Sequence, residues 1–135
     1  MKKEKSCGTI VIKDNKVLII KHNKGHYGFP KGHMEKGENE IETAIRETKE
    51  ETNIDVIVDE NKRYEVNYIT SDNIDKTVVF FLAIPKNSNI IPQENEISEV
   101  LWIGIDKATD YLQYQNIINL WNNIIIKDIY NIEIK

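Results

Sequence analysis

Hydrophobic residues recur along this 135-residue chain with two different periods, which separate predicted strands from predicted helices. The runs CGTIVI and KVLIIK flank the polar segment KDNK, a pattern that predicts a hairpin with Asp14 and Asn15 in its turn. Four later runs predict further strands: IDVIVD, RYEVNYI, KTVVFFLAI and VLWIGI. Glycines and prolines are scattered through segment 22–39, so we expect neither helix nor strand there.

Two other segments have a helical period. After Glu40, the residues at positions 41, 44, 45 and 48 form the inward stripe of a helix, with Asn39 as its N-cap and Asn53 as its left-handed end. From Asp106 onward the chain is predicted to be helical. Its inward stripe comprises Ile117, Ile118, Trp121, Ile124 and Ile125. Together these elements predict an α/β (α+β) fold, a mixed β-sheet sandwiched between α-helices.

Composition and charge limit the function classes. Hydrophobic residues make up 40% of the chain and charged residues 30%, which is typical of a soluble protein, and the length predicts one domain over residues 1–135. The net charge of −4 argues against general nucleic-acid or membrane binding, since both need a basic surface. The apolar run before Lys13 is too short for a signal peptide, and we expect a cytoplasmic protein. Cys7, the one cysteine, is predicted to pack in a strand.

The first predicted helix is rich in carboxylates. Glu47, Glu50 and Glu51 stand at i, i+3 and i+4, so they share one rim beside the apolar stripe. Like charges at this spacing repel each other, and a bound Mg²⁺ or Mn²⁺ would remove that penalty. Composition alone also allows an ordinary solvated helix face. The preceding loop favours the metal-binding interpretation over the solvated face. Its lysines and histidines supply the positive groups that a polyphosphate needs beside a cation.

The spacing of these residues resembles the Nudix box, GX5EX7REUXEEXGU, in which U is an aliphatic residue. Five residues separate Gly32 from Glu38, seven separate Glu38 from Arg46, and the glutamates of the helix rim follow at the positions of the pattern. Thr48 stands where the pattern has an aliphatic residue, and Asn53 stands where it has glycine. Neither departure changes a charged position, so the resemblance predicts membership of the Nudix family.

Within that family, FPKGHMEKGENEIETAIRETKEE is similar to the asymmetrical diadenosine tetraphosphate hydrolases of animal and prokaryotic type. In these enzymes Pro-Lys-Gly-His opens the box and Arg-Glu-Thr-x-Glu-Glu closes it, which makes Thr48 a mark of the subgroup. The stretches KTVVFFLA and ISEVLWIGIDKATDYLQY are similar to the later part of the same enzymes. The resemblance therefore covers most of the chain, and it implies a Nudix fold and hydrolysis of a nucleoside diphosphate linked to another group.

The resemblance also implies roles for the residues of the box. The three glutamates inherit the catalytic and metal-binding roles: Glu47, Glu50 and Glu51. The carbonyl of Lys31 is a further candidate ligand, and so is Glu96, which can also be read as one more charge in the acidic stretch QENEISE. Mg²⁺ or Mn²⁺ would lower the pKa of a bound water, and a glutamate would take its proton, with the choice between Glu47 and Glu50 left open.

The other motif residues are expected to be structural. Glu38 and Arg46 would hold the loop to the helix, since arginine pairs well with a carboxylate, and Gly32 belongs to the loop of the box. On the substrate side, Lys31 and Lys76 are expected to bind phosphate and His33 to hydrogen-bond it. Surface solvation is the competing interpretation for Lys76.

Aromatic residues are the candidates for holding the adenine. Phe80 and Tyr114 would sandwich the base, as members of the subgroup do at corresponding places, although core packing is a competing interpretation for Phe80. Tyr27 is expected to be exposed and completes the substrate-binding set. Trp102 and Trp121 are assigned to the core.

Three function classes remain open at this point. The leading one is a small-molecule enzyme that splits diadenosine tetraphosphate into ATP and AMP. The others are a different Nudix activity, on RNA 5′ ends or modified nucleoside triphosphates, and a non-catalytic nucleotide sensor. Zinc is discounted for His22 and His26, because their i, i+4 spacing lies outside a predicted helix. The preferred polyphosphate and the choice between monomer and dimer are left open.

Overall fold

The computed structural model describes the backbone of residues 1–134 and the side chains of residues 1–130. The strands are Lys3–Lys13 (β1), Lys16–His22 (β2), Tyr27–Gly28 (β3), Lys31–His33 (β4), Val56–Ile69 (β5), Asp75–Pro85 (β6) and Ile97–Gly104 (β7). The helices are Glu40–Thr52 (α1), Gln115–Leu120 (α2) and Ile126–Ile134 (α3), with a 3₁₀ helix at Ile105–Asp110 and a π turn at Trp121–Ile125.

The seven strands form one mixed sheet in which β1 is central. Along the sheet the order is β3-β2-β1-β6-β5; β4 also pairs with β1, and β7 pairs with β2. The β1–β6 pair is parallel and every other pair is antiparallel. The predicted hairpin is confirmed, since Asp14 and Asn15 both have positive φ in a two-residue turn between β1 and β2.

Helices cover both faces of the sheet, as the alternation of buried residues along β6 requires. Val79 and Phe81 belong to a core cluster with Ala44 of α1. Val78 and Phe80, which point the opposite way, belong to the larger cluster that includes residues 121, 125 and 129 of the C-terminal helices. The predicted mixed sheet between helices is therefore confirmed, and residues 78–82 are apolar on both faces because both faces are buried.

Helix α1 begins and ends as predicted. The Asn39 side chain accepts a hydrogen bond from Glu42 N at 2.8 Å, while the Glu42 carboxylate accepts one from Asn39 N at 3.0 Å, which is a complete capping box. Asn53 ends the helix in the left-handed conformation at φ 68°. Ala44 and Thr48 of the predicted stripe are buried, and Cys7 packs beneath the helix with 0% of its surface exposed.

Four predictions about elements were wrong in detail. The chain is not continuously helical from Asp106 onward, because residues 111–114 form a turn and an irregular segment between the 3₁₀ helix and α2. Segment 22–39 contains the short strands β3 and β4, because its extended backbone pairs with the hairpin despite its glycines. The runs IDVIVD and RYEVNYI form one strand, β5, whose register with β6 shifts between Val58 and Arg63. Ile124 is 48% exposed, because the π turn changes which residues face inward, and the buried positions become Trp121, Ile125 and Ile129.

Trp121 is buried as predicted, whereas Trp102 is only partly buried beside the cluster that contains Val11 and Leu18. Among the described residues, no helix combines the length and the apolar character needed to cross a membrane.

Candidate active site

Arg46 joins the glycine-rich loop to helix α1. Its guanidinium donates to both carboxylate oxygens of Glu38, at 2.6 Å from Nε and 3.0 Å from Nη2, and it also donates to the carbonyl of His33 at 3.0 Å. Glu38 further accepts hydrogen bonds from the Thr43 hydroxyl and from Glu35 N. The hydrogen bonds from Arg46 are the largest cause that holds the pKa of Glu38 at about 2. The pair thus connects the loop to helix α1 through hydrogen bonds, and its structural role stays a prediction.

Glu47 lies where the loop crosses the helix, and Gly32 makes room for it. A Cβ atom at position 32 would be 2.0 Å from the carboxyl carbon of Glu47, so no larger residue fits while Glu47 keeps its place. The Glu47 carboxylate accepts a hydrogen bond from Arg46 Nη1 at 2.7 Å. Burial raises the pKa of Glu47, and the Arg46 hydrogen bond opposes that rise.

Glu50 and Glu51 flank the same rim but differ in exposure. Glu50 is exposed and accepts a hydrogen bond from Arg46 Nη1 at 3.1 Å. Glu51 is 3% exposed and accepts a hydrogen bond from the backbone N–H of Lys31 at 2.9 Å. The pKa of Glu51 is raised to about 8. Burial is the main cause, and it outweighs the hydrogen bond from Lys31 N–H, which acts to lower the pKa. A carboxylate buried in this way calls for a positive partner.

The donor set fits a hard divalent cation, which prefers carboxylate and carbonyl oxygens. In the part of the chain that the structure describes, no three acidic, histidine or cysteine side chains already surround one ion position. Arg46 Nη1 donates hydrogen bonds to both Glu47 and Glu50, so these two carboxylates are directed toward the guanidinium.

The segment before β7 closes the site from the other side. Gln93 N donates to the carbonyl of Glu51 at 3.2 Å, and the Glu96 carbonyl accepts from Asn23 N at 2.8 Å, which fastens this segment to the helix end and to the loop. The charge of Glu96 contributes to the raised pKa values of Glu47 and Glu51, so it lies near them. Among the described residues, Gln93 Oε1 is buried without a hydrogen-bond partner, a feature that fits a hydrated cation nearby.

A cavity of about 310 Å³ opens beside the carboxylates, between the loop and the start of α2. Four of the predicted substrate residues line it: Lys31, Tyr27, Phe80 and Tyr114. Residues that the sequence pattern did not single out for the substrate also line it: Tyr68, His22, His26, Gln113, Gln115 and Asn116. The volume is at the lower end of those that hold small ligands.

The aromatic residues of the cavity differ in exposure. Phe80 is 2% exposed and packs edge to face against Phe29 at 5.4 Å, so it belongs to the core and lines the cavity as well. Tyr114 is 59% exposed and stands at the N-cap of α2. Tyr27 is partly buried, rather than exposed as expected, because its ring packs edge to face on Tyr111 at 5.4 Å. The cavity is therefore lined by one buried aromatic ring, Phe80, and by two rings nearer the surface, Tyr27 and Tyr114.

Tyr68 is a further aromatic residue of the cavity, and its place in the run RYEVNYI is a signal for it in the sequence. It pairs with Lys76 across β5 and β6, and 37% of its surface is exposed. Tyr64, Val66 and Tyr68 recur at intervals of two, so they share the face of β5 on which Tyr64 and Val66 pack in the larger core cluster. Recognising the place of Tyr68 in the cavity required the register of β5, which the shift between residues 58 and 63 hides from the sequence.

His33 and Lys76 do not line the cavity, but they lie next to each other beyond Lys31. Burial is the main cause that lowers the pKa of Lys76, and the positive charge of Lys31 acts in the same direction. Burial likewise lowers the pKa of His33, followed by the charge of Lys76. The two lysines therefore lie together at one end of the cavity, with His33, whose lowered pKa favours the neutral imidazole, beside them.

His22 and His26 stack their rings at the cavity wall, with centroids 4.1 Å apart, and this stacking follows from a tight turn in which His22 N donates to the carbonyl of His26. Burial lowers the pKa of His22 to about 4, so both rings are neutral at pH 7 in this stack.

We expect the buried Glu51 carboxyl to make stability depend on pH when no divalent cation is present. Its folded pKa of about 8 lies above the 4.5 of an unperturbed glutamate, so between these values the folded state binds the proton that the unfolded state has lost. The free energy of unfolding should therefore fall as the pH rises through this window, by roughly 1 kcal/mol per pH unit.

Urea unfolding of the wild type and of Glu51→Gln at pH 5, 6, 7 and 8, in EDTA, measures this effect as the difference between the two proteins. The difference should shrink when Mg²⁺ is added, because a cation stabilises the ionised carboxylate. Equal pH slopes for both proteins in EDTA would contradict the assignment.

The fold, together with the loop and helix that carry the carboxylates, is typical of one class of hydrolases. Residues 2–120 match the NUDIX domain family, and the chain belongs to the Nudix family of hydrolases, as the box predicted. The chain is 35% identical over 127 residues to the asymmetrical bis(5′-nucleosyl)-tetraphosphatase of Rattus norvegicus, which covers 82% of this chain and 86% of the rat protein.

Two further similarities are informative. The crystal structure of a C. elegans Ap4A hydrolase binary complex superposes with a TM-score of 0.78 and 26% identity, over 88% of this chain and 93% of that one. The m7GpppN-mRNA hydrolase of Saccharomyces cerevisiae is 29% identical over 116 residues, which are 82% of this chain but 12% of the yeast protein. The similarity to the tetraphosphatase thus extends over most of both chains, whereas the yeast protein is matched only in part.

Proposed function

We propose that this Nudix hydrolase cleaves dinucleoside polyphosphates, and that it splits diadenosine tetraphosphate into ATP and AMP. The observation that carries the proposal is the position of Lys31. Its backbone N–H binds the Glu51 carboxylate, while its side chain lines the aromatic cavity. One residue thus joins a site for phosphate chemistry to a cavity that suits a nucleoside.

The proposed binding mode follows from the charges around Lys31. The adenine lies in the cavity between Phe80 and Tyr114, with Tyr68 and Tyr27 beside it. The polyphosphate leaves the cavity past the Lys31 ammonium and reaches the rim of α1, with Lys76 and His33 at its flank. Similarity to the rat tetraphosphatase over most of both chains supports this substrate.

In the proposed mechanism the carboxylates of the α1 rim, Glu47, Glu50 and Glu51, would hold the divalent cation, and Glu96 and the Lys31 carbonyl would be further ligands. When bound, Mg²⁺ or Mn²⁺ supplies charge neutralisation at phosphate and a more acidic water.

The protein's own groups then orient the reaction. Arg46 fixes the position of the rim relative to the loop through Glu38, and the close packing of Gly32 fixes Glu47. Glu47 and Glu50 are the two candidates for the base that accepts the proton of the attacking water. Lys31 stabilises charge on the departing phosphate.

A second Nudix activity, on capped or triphosphorylated RNA 5′ ends, has one supporting observation, the partial match to the yeast m7GpppN-mRNA hydrolase. The net charge of −4 argues against it, because RNA binding rests on phosphate contacts along a basic surface.

The test is to incubate the purified protein with diadenosine tetraphosphate and Mg²⁺ and to identify the nucleotides by chromatography. We expect equimolar ATP and AMP, and no turnover after treatment with EDTA. Two molecules of ADP, or no AMP, would overturn the proposed cleavage. Turnover of capped RNA without turnover of the dinucleotide would favour the second activity, and binding of nucleotide without turnover of either would indicate a sensor.

A further inference from the structure

Lys76 is held in an unusual environment for a lysine. Lys76 is 6% exposed, and it is the one buried lysine among the residues whose side chains are described. A buried ammonium is costly unless it is paired and hydrogen-bonded. What surrounds Lys76 therefore decides whether it can serve as a charged group.

Its surroundings are supplied by β1. Lys76 Nζ donates a hydrogen bond to the Ser6 hydroxyl at 2.6 Å, and Ser6 is itself 1% exposed. The Glu4 carboxylate lies 3.7 Å from Lys76 Nζ and 3.6 Å from His33 Nε2. Among the residues whose side chains are described, Glu4 is the one carboxylate within 4 Å of the Lys76 ammonium.

Strand register explains why these groups meet. Glu4 is paired with Lys76 in the parallel β1–β6 ladder, and Ser6 is paired with Val78 in the same ladder. Ser6 is also paired with His33 in β4. Residues two apart on a strand share a face, so Glu4 and Ser6 face the same side of the sheet as Lys76 and Val78.

That face is the one that forms the cavity. Val78 and Phe80, which follow Lys76 at intervals of two on β6, line the cavity, and so does Tyr68, the partner of Lys76 on β5. Lys76 therefore lies on the cavity side of the sheet, one step beyond the lining residues. An ammonium at this place, beside Lys31, is positioned for a phosphate that leaves the cavity.

We propose that Glu4 and Ser6 are positioning residues that hold the Lys76 ammonium, as a charged group, at the phosphate end of the nucleotide cavity. The inference rests on the proposed function, in which Lys76 binds a phosphate of the substrate. Ser6 fixes the direction of the ammonium through a short hydrogen bond, and Glu4 is the counter-charge that offsets its burial. Two of the three N–H donors of Lys76 then remain for phosphate oxygens.

The proposal is specific about what each group does. Glu4 belongs to β1 and not to the rim of α1, so it affects the substrate through Lys76 and takes no part in cleavage. Ser6 is uncharged, and its removal leaves the net charge of the site unchanged. Loss of either should weaken binding of the polyphosphate while changing kcat little.

The test measures the dissociation constant of α,β-methylene-ATP, in which the bond between the first two phosphates resists hydrolysis, by calorimetry with Mg²⁺. We expect Ser6→Ala, Glu4→Gln and Lys76→Met each to raise the dissociation constant about tenfold. In a Lys76→Met background, Ser6→Ala and Glu4→Gln should change it by less than about twofold, because their effects pass through the missing ammonium.

Glu60→Gln is the matched control for charge, since Glu60 is exposed on β5. Ser6→Thr keeps the hydroxyl and should keep most of the affinity, and thermal unfolding shows which variants are folded. Equal losses with and without Lys76, or wild-type affinity in both single variants, would overturn the inference.

The outcome is separable from that of the proposed function. If the coupling to Lys76 is found but diadenosine tetraphosphate is not cleaved, the inference holds and the substrate assignment fails. If the dinucleotide is cleaved to ATP and AMP but no coupling is found, only the inference fails.

Discussion

Glu51→Gln is expected to lower kcat/KM for diadenosine tetraphosphate by about 10³-fold while the protein remains folded. Glutamine has the shape of glutamate, and its side-chain oxygen can still accept the 2.9 Å hydrogen bond from Lys31 N. What is lost is the negative charge of a carboxylate that is 3% exposed and turned toward the proposed cation. The effect should therefore be on catalysis and on metal affinity rather than on packing.

Steady-state kinetics at several Mg²⁺ concentrations checks this result, and Glu60→Gln serves as the control for loss of one exposed carboxylate. The unfolding experiments in EDTA should show that the variant is at least as stable as the wild type at pH 8, where the buried carboxylate is a burden to the fold. A variant that retains more than a tenth of the activity would remove Glu51 from the proposed cation site.

Gly32→Ala is expected to have the second-largest effect on activity, about 10²-fold in kcat/KM, at a small cost in stability. The added methyl group would lie 2.0 Å from the Glu47 carboxyl carbon, and the far end of that flexible side chain can move aside. Movement of the carboxylate would disturb its contact with Arg46 and its place on the rim, and catalysis is sensitive to shifts of about 1 Å.

Gly8→Ala is the informative comparison. A Cβ at position 8 would lie 2.0 Å from the Pro30 carbonyl oxygen. This oxygen belongs to the backbone next to β4, so moving it would disrupt the pairing of β1 with β4. Gly8→Ala should therefore lower the free energy of unfolding by about 1–3 kcal/mol or more. Measurement of kcat/KM and of urea midpoints for both variants tests whether Gly32→Ala acts on activity and Gly8→Ala on stability. A Gly32→Ala protein that is destabilised but keeps the specific activity of the wild type would contradict this expectation.

The sequence by itself determined the parts of this protein that depend on neighbouring residues. Asp14 and Asn15 adopt positive φ in the hairpin turn, and Asn39 and Asn53 begin and end α1, because each of these residues interacts with backbone only a few positions away. The carboxylate rim follows from helical spacing in the same way. For this reason the fold class and the helix that carries the proposed chemistry were accessible from the pattern of residues, and the family followed from the resemblance of that pattern to the Nudix box.

The tertiary structure decided everything that depends on groups far apart in the chain. Segment 22–39 pairs as strands because the hairpin offers it free backbone groups, and the pairing places Lys31 N against Glu51. Glu96 reaches the rim only through the docking of its segment on α1.

The same holds for the two ends of the proposed substrate site. Tyr68 enters the cavity, and Lys76 meets Ser6 from 70 positions away, through strand register. Burial of Glu51, which raises its pKa, likewise comes from packing. Sequence periodicity fixes which face of an element a side chain occupies, but which partner meets that face is set by long-range pairing, since a shift of one residue in register reverses every side chain.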